Sequence, residues 1–268
     1  MRGVALPISG ASPDDDVELM TQRGWVNFPG MIGAAQLEAL RQDAERVYGL
    51  RRAVQLANGV AAGMEGVAHH VLGEGGALDA MLDDLPLFDR IGQHFDGKFI
   101  LLNFAAVMHP PGGRTYTFKP HRDVHAFTPA YPLSLNMLVM LDDFTVQNGA
   151  TLMLSGSHKT QALPDPELFE ARAEQAVGKA GDVLLFDSLL VHAAAPNRSA
   201  SPRRALTLCF GRPFMKPHMD WVRRFGHDAE DRLSPMSRQL LGYHARVPES
   251  LDAFYQPPER WAFKPDQR

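Results

Sequence analysis

The chain predicts a mainly β fold with flanking helices: a jelly-roll, cupin-like core behind a helical N-terminal part. Three observations predict it. From Lys98 to Phe210, short apolar runs are separated by clusters of Pro, Gly, Asn and Asp, the texture of a sandwich or barrel of short strands. Before Lys98 the apolar residues recur instead at spacings of three and four, the period of an amphipathic helix. Hydrophobic residues make up 45% of the 268 and charged residues 22%, enough to bury a full core.

The elements follow in order. Residues 1–97 are expected as the helical part. Asp14 to Arg23 starts a helix, with Asp14, Asp15 and Asp16 favourable at its positive end, and Gly24 ends it. Trp25 to Phe28 alternates as a short strand does. Ala34 to Tyr48 puts Leu37, Leu40, Ala44 and Val47 on one helical face, and Leu87 to Phe95 reads as another helix. Residues 98–212 are expected as the core. Its strands are Phe99 to Met108, Leu133 to Leu141, Thr151 to Leu154, Asp182 to Phe186 and Ala205 to Phe210. Residues 213–268 form a C-terminal extension with a helix around Met219 to Phe225 and an irregular end marked by Pro257, Pro258 and Pro265. The three parts read as one domain, 1–268.

Several classes are set aside. A net charge of −4 offers no basic face for nucleic acid. One cysteine, Cys209, excludes an intramolecular disulfide and fits a reducing cytoplasm. No apolar run reaches the length of about 18 residues that a membrane helix needs, and the first 16 residues lack the apolar centre of a signal peptide. The expectation is a cytoplasmic protein whose partner is a small molecule, with no nucleic acid and no membrane.

The chemistry begins at Lys119-Pro120-His121-Arg122-Asp123. Side chains two apart on an extended chain share a face, so His121 and Asp123 address one point. His192 follows Gly181 to Asp187, which reads as a tight turn and a buried strand that delivers the histidine at or just beyond its end. Two imidazoles and one carboxylate on one side of a metal suit iron(II) in a non-haem oxygenase. The open positions are then left for O2 and a bidentate 2-oxo acid, 2-oxoglutarate. The far carboxylate of that co-substrate calls for an arginine, whose planar fork binds a carboxylate through two hydrogen bonds. Arg203 and Arg204 lie on opposite faces of one strand. Ala205, Thr207 and Cys209 share the face of Arg203, a small and partly polar set suited to a ligand cavity, whereas Leu206, Leu208 and Phe210 share that of Arg204. Arg203 is the expected anchor.

These residues resemble the phytanoyl-CoA dioxygenase family of 2-oxoglutarate oxygenases. The likeness rests on His121-Arg122-Asp123, Asn148-Gly149-Ala150-Thr151, Ser155-Gly156-Ser157-His158-Lys159 and the stretch from Gly181 through His192 to Arg203. The resemblance implies a double-stranded β-helix core, with iron(II) on His121, Asp123 and His192. It implies consumption of O2 and 2-oxoglutarate, release of succinate and CO2, and hydroxylation of an aliphatic C–H bond of a small organic molecule. The family places its co-substrate arginine eleven residues after the second histidine, which again selects Arg203. Halogenases akin to the family lack the carboxylate, so Asp123 favours hydroxylation. Relatives carry amide side chains near Asn103 and Asn136 that touch co-substrate or substrate. Two positions depart from the family. Ala194 stands where many relatives have a serine that helps hold the co-substrate, a role Thr207 can take, and Leu154-Ser155 precede Gly156 where proline is usual.

Plainer readings stand beside these. Asn103 and Asn136 are either satisfied core amides or pocket groups. His125 faces substrate or solvent. Phe118 and Phe127 are core or pocket wall, with Phe127 nearer the pocket. His158 reads as structural. His69 and His70 are adjacent and point different ways, so they are not read as a metal pair, although their segment is a candidate to fold over the mouth of the site. Arg198, Arg204, Arg223 and Arg224 read as a solvated basic surface. Two rival functions use the same barrel: a zinc-dependent hydrolase or isomerase, in which Arg203 would be idle, and a non-catalytic jelly-roll binding module, which has no need of open coordination sites. Substrate contacts are expected from the helical part, the loop from His109 to Lys119 and the C-terminal tail.

Overall fold

The computed structural model describes residues 4–5, 13–112 and 116–267. The reading that no leader is present rests largely on residues 1–3 and 6–12, which lie outside the described residues, as do 113–115 in the loop expected to touch substrate.

Among the described residues the strands are β1 (Val4–Ala5), β2 (Trp25–Phe28), β3 (Val67–His69), β4 (Ile100–His109), β5 (Ser134–Met140), β6 (Leu152–Met153), β7 (Glu174–Ala176), β8 (Val183–Asp187), β9 (His192–Ala193) and β10 (Arg203–Gly211). They form two sheets, a main one of order β2-β8-β5-β10-β4-β3 and a small one of order β1-β7-β6-β9. Every pairing in the main sheet is antiparallel. This is the expected jelly-roll core, and β5, inside the sheet and covered on both faces, is buried over its whole length.

The described α-helices are α1 (Pro13–Arg23), α2 (Ala34–Ala57), α3 (Ala77–Ala80), α4 (Phe88–Phe95), α5 (Pro166–Arg172), α6 (Trp221–Phe225), α7 (Pro235–Leu240) and α8 (Leu251–Phe254), with short 3-10 turns between elements. Leu37, Leu40, Ala44 and Val47 of α2 share one core with Ile91 and Phe95 of α4, Trp221 of α6, and Leu206, Leu208 and Phe210 of β10. Burying a side chain of this kind is worth roughly 1.5–3 kcal/mol, so the helices dock firmly on that side of the sheet. A second core fills the space between the sheets, with Trp25, Leu138, Met140, Phe144, Phe186 and Ala205 among its members.

The helix expected to end at Tyr48 runs on to Ala57. Apolar periodicity does not carry this extra length. Polar side chains do: Arg51 Nε donates to the His70 carbonyl (3.0 Å), Arg52 Nη1 to that of Ala61 (2.7 Å) and Gln55 Nε2 to that of Val67 (2.9 Å). These bonds fasten α2 beside β3, a strand that the helical reading of residues 1–97 did not contain. Gly24 ends α1 as expected, and only glycine fits there. Its φ is +83°, and a Cβ would lie 2.5 Å from Nδ1 of His158. No described helix is long and apolar enough to cross a membrane.

Candidate metal centre and its cavity

The three expected ligands meet. One donor atom from each of His121, Asp123 and His192 falls within 4.8 Å of the others. They do not meet by sharing a regular strand face, as the spacing of two predicted. His121 forms an isolated antiparallel bridge with His192, through paired backbone bonds of 3.0 Å each way. Asp123 lies beyond it in a loop, where its N–H donates to the Ser188 carbonyl at 3.1 Å. His192 opens β9 in the small sheet, after β8 has ended and the chain has crossed over.

The imidazoles are oriented for a metal. Nδ1 of His121 lies 2.8 Å from the Lys119 carbonyl, and Nδ1 of His192 lies 3.0 Å from that of Leu190. A carbonyl only accepts, so each Nδ1 carries the proton and each Nε2 keeps its lone pair. Those Nε2 atoms lie 3.6 and 3.7 Å from the carboxylate of Asp123, as donors around one ion would. The carboxylate is itself held: Asn136 Nδ2 donates to Oδ2 at 2.8 Å and to Ser188 Oγ at 3.0 Å. Burial, and then the neighbouring His192, push the pKa of His121 down, which keeps a lone pair available. These residues fit a divalent metal that prefers nitrogen and oxygen donors and needs open positions.

The cluster opens into a cavity of about 560 Å³. Arg203 lines the same cavity and is 4% exposed. Its guanidinium lies over the ring of Phe144, 4.0 Å from the centroid, and one amino group donates to the carbonyl of Gly149. Its Nε has no partner, and among the described residues Asp142, itself bound by Arg204, acts on it through its charge without a direct ion pair. Burial drives its pKa down to about 9. A buried cation without an anion is costly, and the site lowers that cost when an anionic ligand arrives. The Asn148-Gly149 motif has a place in this. Gly149, at φ +80°, lies so close to the Ala195 carbonyl that a Cβ there would meet it at 2.4 Å, and its own carbonyl is turned to Arg203.

The other candidates are distributed as follows. Asn103, Asn136, Thr207 and His125 line the cavity, as does Ala194. Asn136 is engaged with Asp123. Phe127 packs over Arg122, with its ring centroid 5.7 Å from the guanidinium carbon, and Phe118 lies 5.5 Å from the ring of His109; neither is among the residues lining the cavity. His158 is buried and hydrogen-bonds the Thr21 carbonyl. The solvated reading of Arg204 is corrected, since it is half-buried, whereas Arg198, Arg223 and Arg224 are exposed as expected. Arg204 is bound by Asp142 and Glu45, and Arg224 by Glu74.

Sequence reasoning missed four groups. Arg122, the middle residue of His-x-Asp, is buried and donates to the carbonyls of Leu189 (2.7 Å), Gln161 (2.6 Å), Ser157 (2.9 Å) and Thr160. Ser188 joins Asp123 to Asn136. Thr151 and Thr117 put hydroxyl-bearing side chains on the cavity wall, and His69 and His218 line its other side. The buried arginine could have been suspected from its place between two ligands, whereas His218 carries no local signal.

Comparison with known proteins agrees with this geometry. The family model described as phytanoyl-CoA dioxygenase (PhyH) matches residues 20–205. An uncharacterized protein of Mycobacterium tuberculosis is 34% identical over 176 residues, 65% of this chain and 63% of that protein. A protein of Aspergillus fumigatus named dioxygenase af480 is 30% identical over 156 residues, 54% of this chain and 48% of the relative. The chain thus covers less than two thirds of the length of either. Among solved structures, the non-heme alpha-ketoglutarate-dependent carbocyclase SnoK from nogalamycin biosynthesis shares the fold with a TM-score of 0.61. It is 19% identical, over 86% of this chain and 95% of that one.

Proposed function

The chain belongs to the phytanoyl-CoA dioxygenase family, and on that premise we propose that it is an iron(II)- and 2-oxoglutarate-dependent dioxygenase that hydroxylates an aliphatic C–H bond of a small organic molecule. The observation that carries the reading is the buried, anion-less Arg203 in the same cavity as His121, Asp123 and His192. A zinc hydrolase on the same ligands would leave that guanidinium without a task.

Iron bound there supplies the oxidising chemistry, in which 2-oxoglutarate loses CO2 to become succinate with one oxygen atom of O2 while the other enters the substrate. The chain's own residues do the rest. Backbone carbonyls at Lys119 and Leu190 fix the two imidazoles with Nε2 toward the metal, and Asn136 fixes the carboxylate of Asp123. Arg203 holds the distal carboxylate of the co-substrate, with Thr207 on the same strand face offering a hydroxyl in place of the serine replaced by Ala194. Asp123 fills the position that halogenation would need open, so hydroxylation is the preferred outcome. The solved carbocyclase warns that one fold supports more than one outcome.

The test is iron-dependent succinate formation from 2-oxoglutarate with ascorbate present. Iron titration of protein purified without metal should reach one equivalent, and His121→Ala should abolish it. Protein that binds neither iron nor 2-oxoglutarate would refute the reading.

A further inference from the structure

We infer that Ser134 and Ser188 are positioning residues of the metal centre: their buried hydroxyls hold the amide of Asn136 in the one orientation that serves Asp123, and so set how tightly that carboxylate grips a divalent metal. The inference rests on the metal-dependent function proposed above and adds residues that act on the metal only through Asp123.

Four segments bring the groups together. Ser134 and Asn136, two apart on β5, share the face that lines the cavity. Cys209 on β10 is paired with Asn136 and lines the same cavity. Ser188 follows the end of β8, in a turn fixed by the Leu189 N–H, which donates to Asp187 Oδ1 at 2.8 Å. Asp123 comes from the loop after His121, its own N–H on the Ser188 carbonyl. Ser134, Asn136 and Ser188 are all buried, so an unpaired hydroxyl or amide among them would be costly.

That cost assigns the direction of each bond. Nδ2 of Asn136 reaches both Oδ2 of Asp123 (2.8 Å) and Oγ of Ser188 (3.0 Å). A carboxylate that binds a metal only accepts, so the amide atom facing it is the nitrogen and not the oxygen. Ser188 Oγ therefore accepts from Asn136. Its own proton has one other partner among the described residues, Ser134 Oγ at 2.7 Å, and a buried proton is rarely left unpaired. Ser134 Oγ in turn lies 3.2 Å from Sγ of Cys209. With the Ser188 proton on Ser134, only lone pairs of Ser188 face the amide. A turned amide would set its carbonyl oxygen against the carboxylate and against those lone pairs. Without the Ser134 oxygen, the Ser188 proton can swing to Asn136, and the turned amide, which lets Asp123 go, gains a donor. Both N–H groups of Asn136 are engaged in the observed orientation, so the amide offers a ligand only its carbonyl oxygen. The polar atoms of 2-oxoglutarate are all acceptors, so Asn136 acts on the site through Asp123.

The test is cobalt(II) binding to the whole chain purified without metal, measured by competition with a chromogenic chelator. Ser188→Ala should weaken binding roughly fivefold and Ser134→Ala about threefold, both less than the 10- to 100-fold typical for a group that touches a metal ligand. Ser134→Thr keeps the hydroxyl and has the cavity beside it for the added methyl, so it should restore most of the loss. In the Asn136→Ala background, Ser188→Ala should have less than about a twofold further effect, because its route to Asp123 is gone, whereas a merely structural loss would carry over in full. Thermal melts of metal-free protein establish that each variant is folded, and Ser134→Ala with Ser134→Thr carries the test if Ser188→Ala is not. The inference is overturned if the folded alanine variants bind cobalt as wild type does. It is equally overturned if Ser188→Ala costs as much without Asn136 as with it. The earlier reading is judged separately: wild-type protein that takes up cobalt but with iron forms no succinate refutes that reading alone, and wild type that takes up no cobalt refutes both.

Discussion

Arg203 and Arg204 are adjacent in sequence, begin the same strand and face opposite sides of the main sheet. On the helical side, Arg204 is tied to Asp142 at 2.7 Å and to Glu45 at 2.6 Å, and below it Leu206, Leu208 and Phe210 close a packed core. On the cavity side, Arg203 is buried against Phe144 with no acidic partner, and Thr207 and Cys209 line open space. One side of the sheet satisfies its charges internally. The other leaves them incomplete, and a polar group left incomplete inside a fold points to a ligand.

The comparison can be broken by substitution. The largest effect is expected on the cavity side at Asp123, where Asp123→Ala should remove iron binding altogether, read by metal analysis after desalting. Arg203→Ala should weaken 2-oxoglutarate binding by ~2–5 kcal/mol, the range for truncating one partner of a buried charged pair, about thirtyfold or more. The same variant should not lower the melting temperature of co-substrate-free protein, because it removes an uncompensated charge. Asn136→Ala should lower iron affinity roughly 10- to 100-fold by releasing Asp123, with 2-oxoglutarate affinity measured in parallel as the contrast. The smallest effect belongs to the helical side. Arg204→Ala should cost at most about 1 kcal/mol of stability in urea and leave 2-oxoglutarate affinity unchanged. If Arg204→Ala instead weakened co-substrate binding, the two sides would not be separate in function.

Much of this was legible in the sequence, for reasons of local geometry. Strand parity placed Arg203 and Arg204 on opposite faces because side chains alternate along any extended segment, whatever surrounds it. The candidate ligands His121, Asp123 and His192 were legible because an iron site needs those residue types. The route by which they converge was not found. It depends on a bridge between His121 and His192, distant in sequence, and on Ser188, a residue type with no spacing rule. The extension of α2 was hidden because Arg51, Arg52 and Gln55 support it through bonds to carbonyls of another segment, which apolar periodicity does not register. For His69 only the place of its segment near the mouth of the site was legible, not the partner of its side chain. The pairing of β3 with β4 gives it a partner, Asn103.

Arg122 has a consequence for how the site opens and closes as matter in motion. A single buried guanidinium joins the loop that bears His121 and Asp123 to the turn at 157–161 and to the segment that leads into His192. The amide of Val191 is in turn capped by Ser157 Oγ at 2.8 Å. These segments are therefore one cooperative unit: none can loosen without the others. In hydrogen–deuterium exchange the amides of His121, Asp123, Val191 and His192 should open with a common free energy. Arg122→Ala should lower that free energy for all four together while amides of β5 keep theirs.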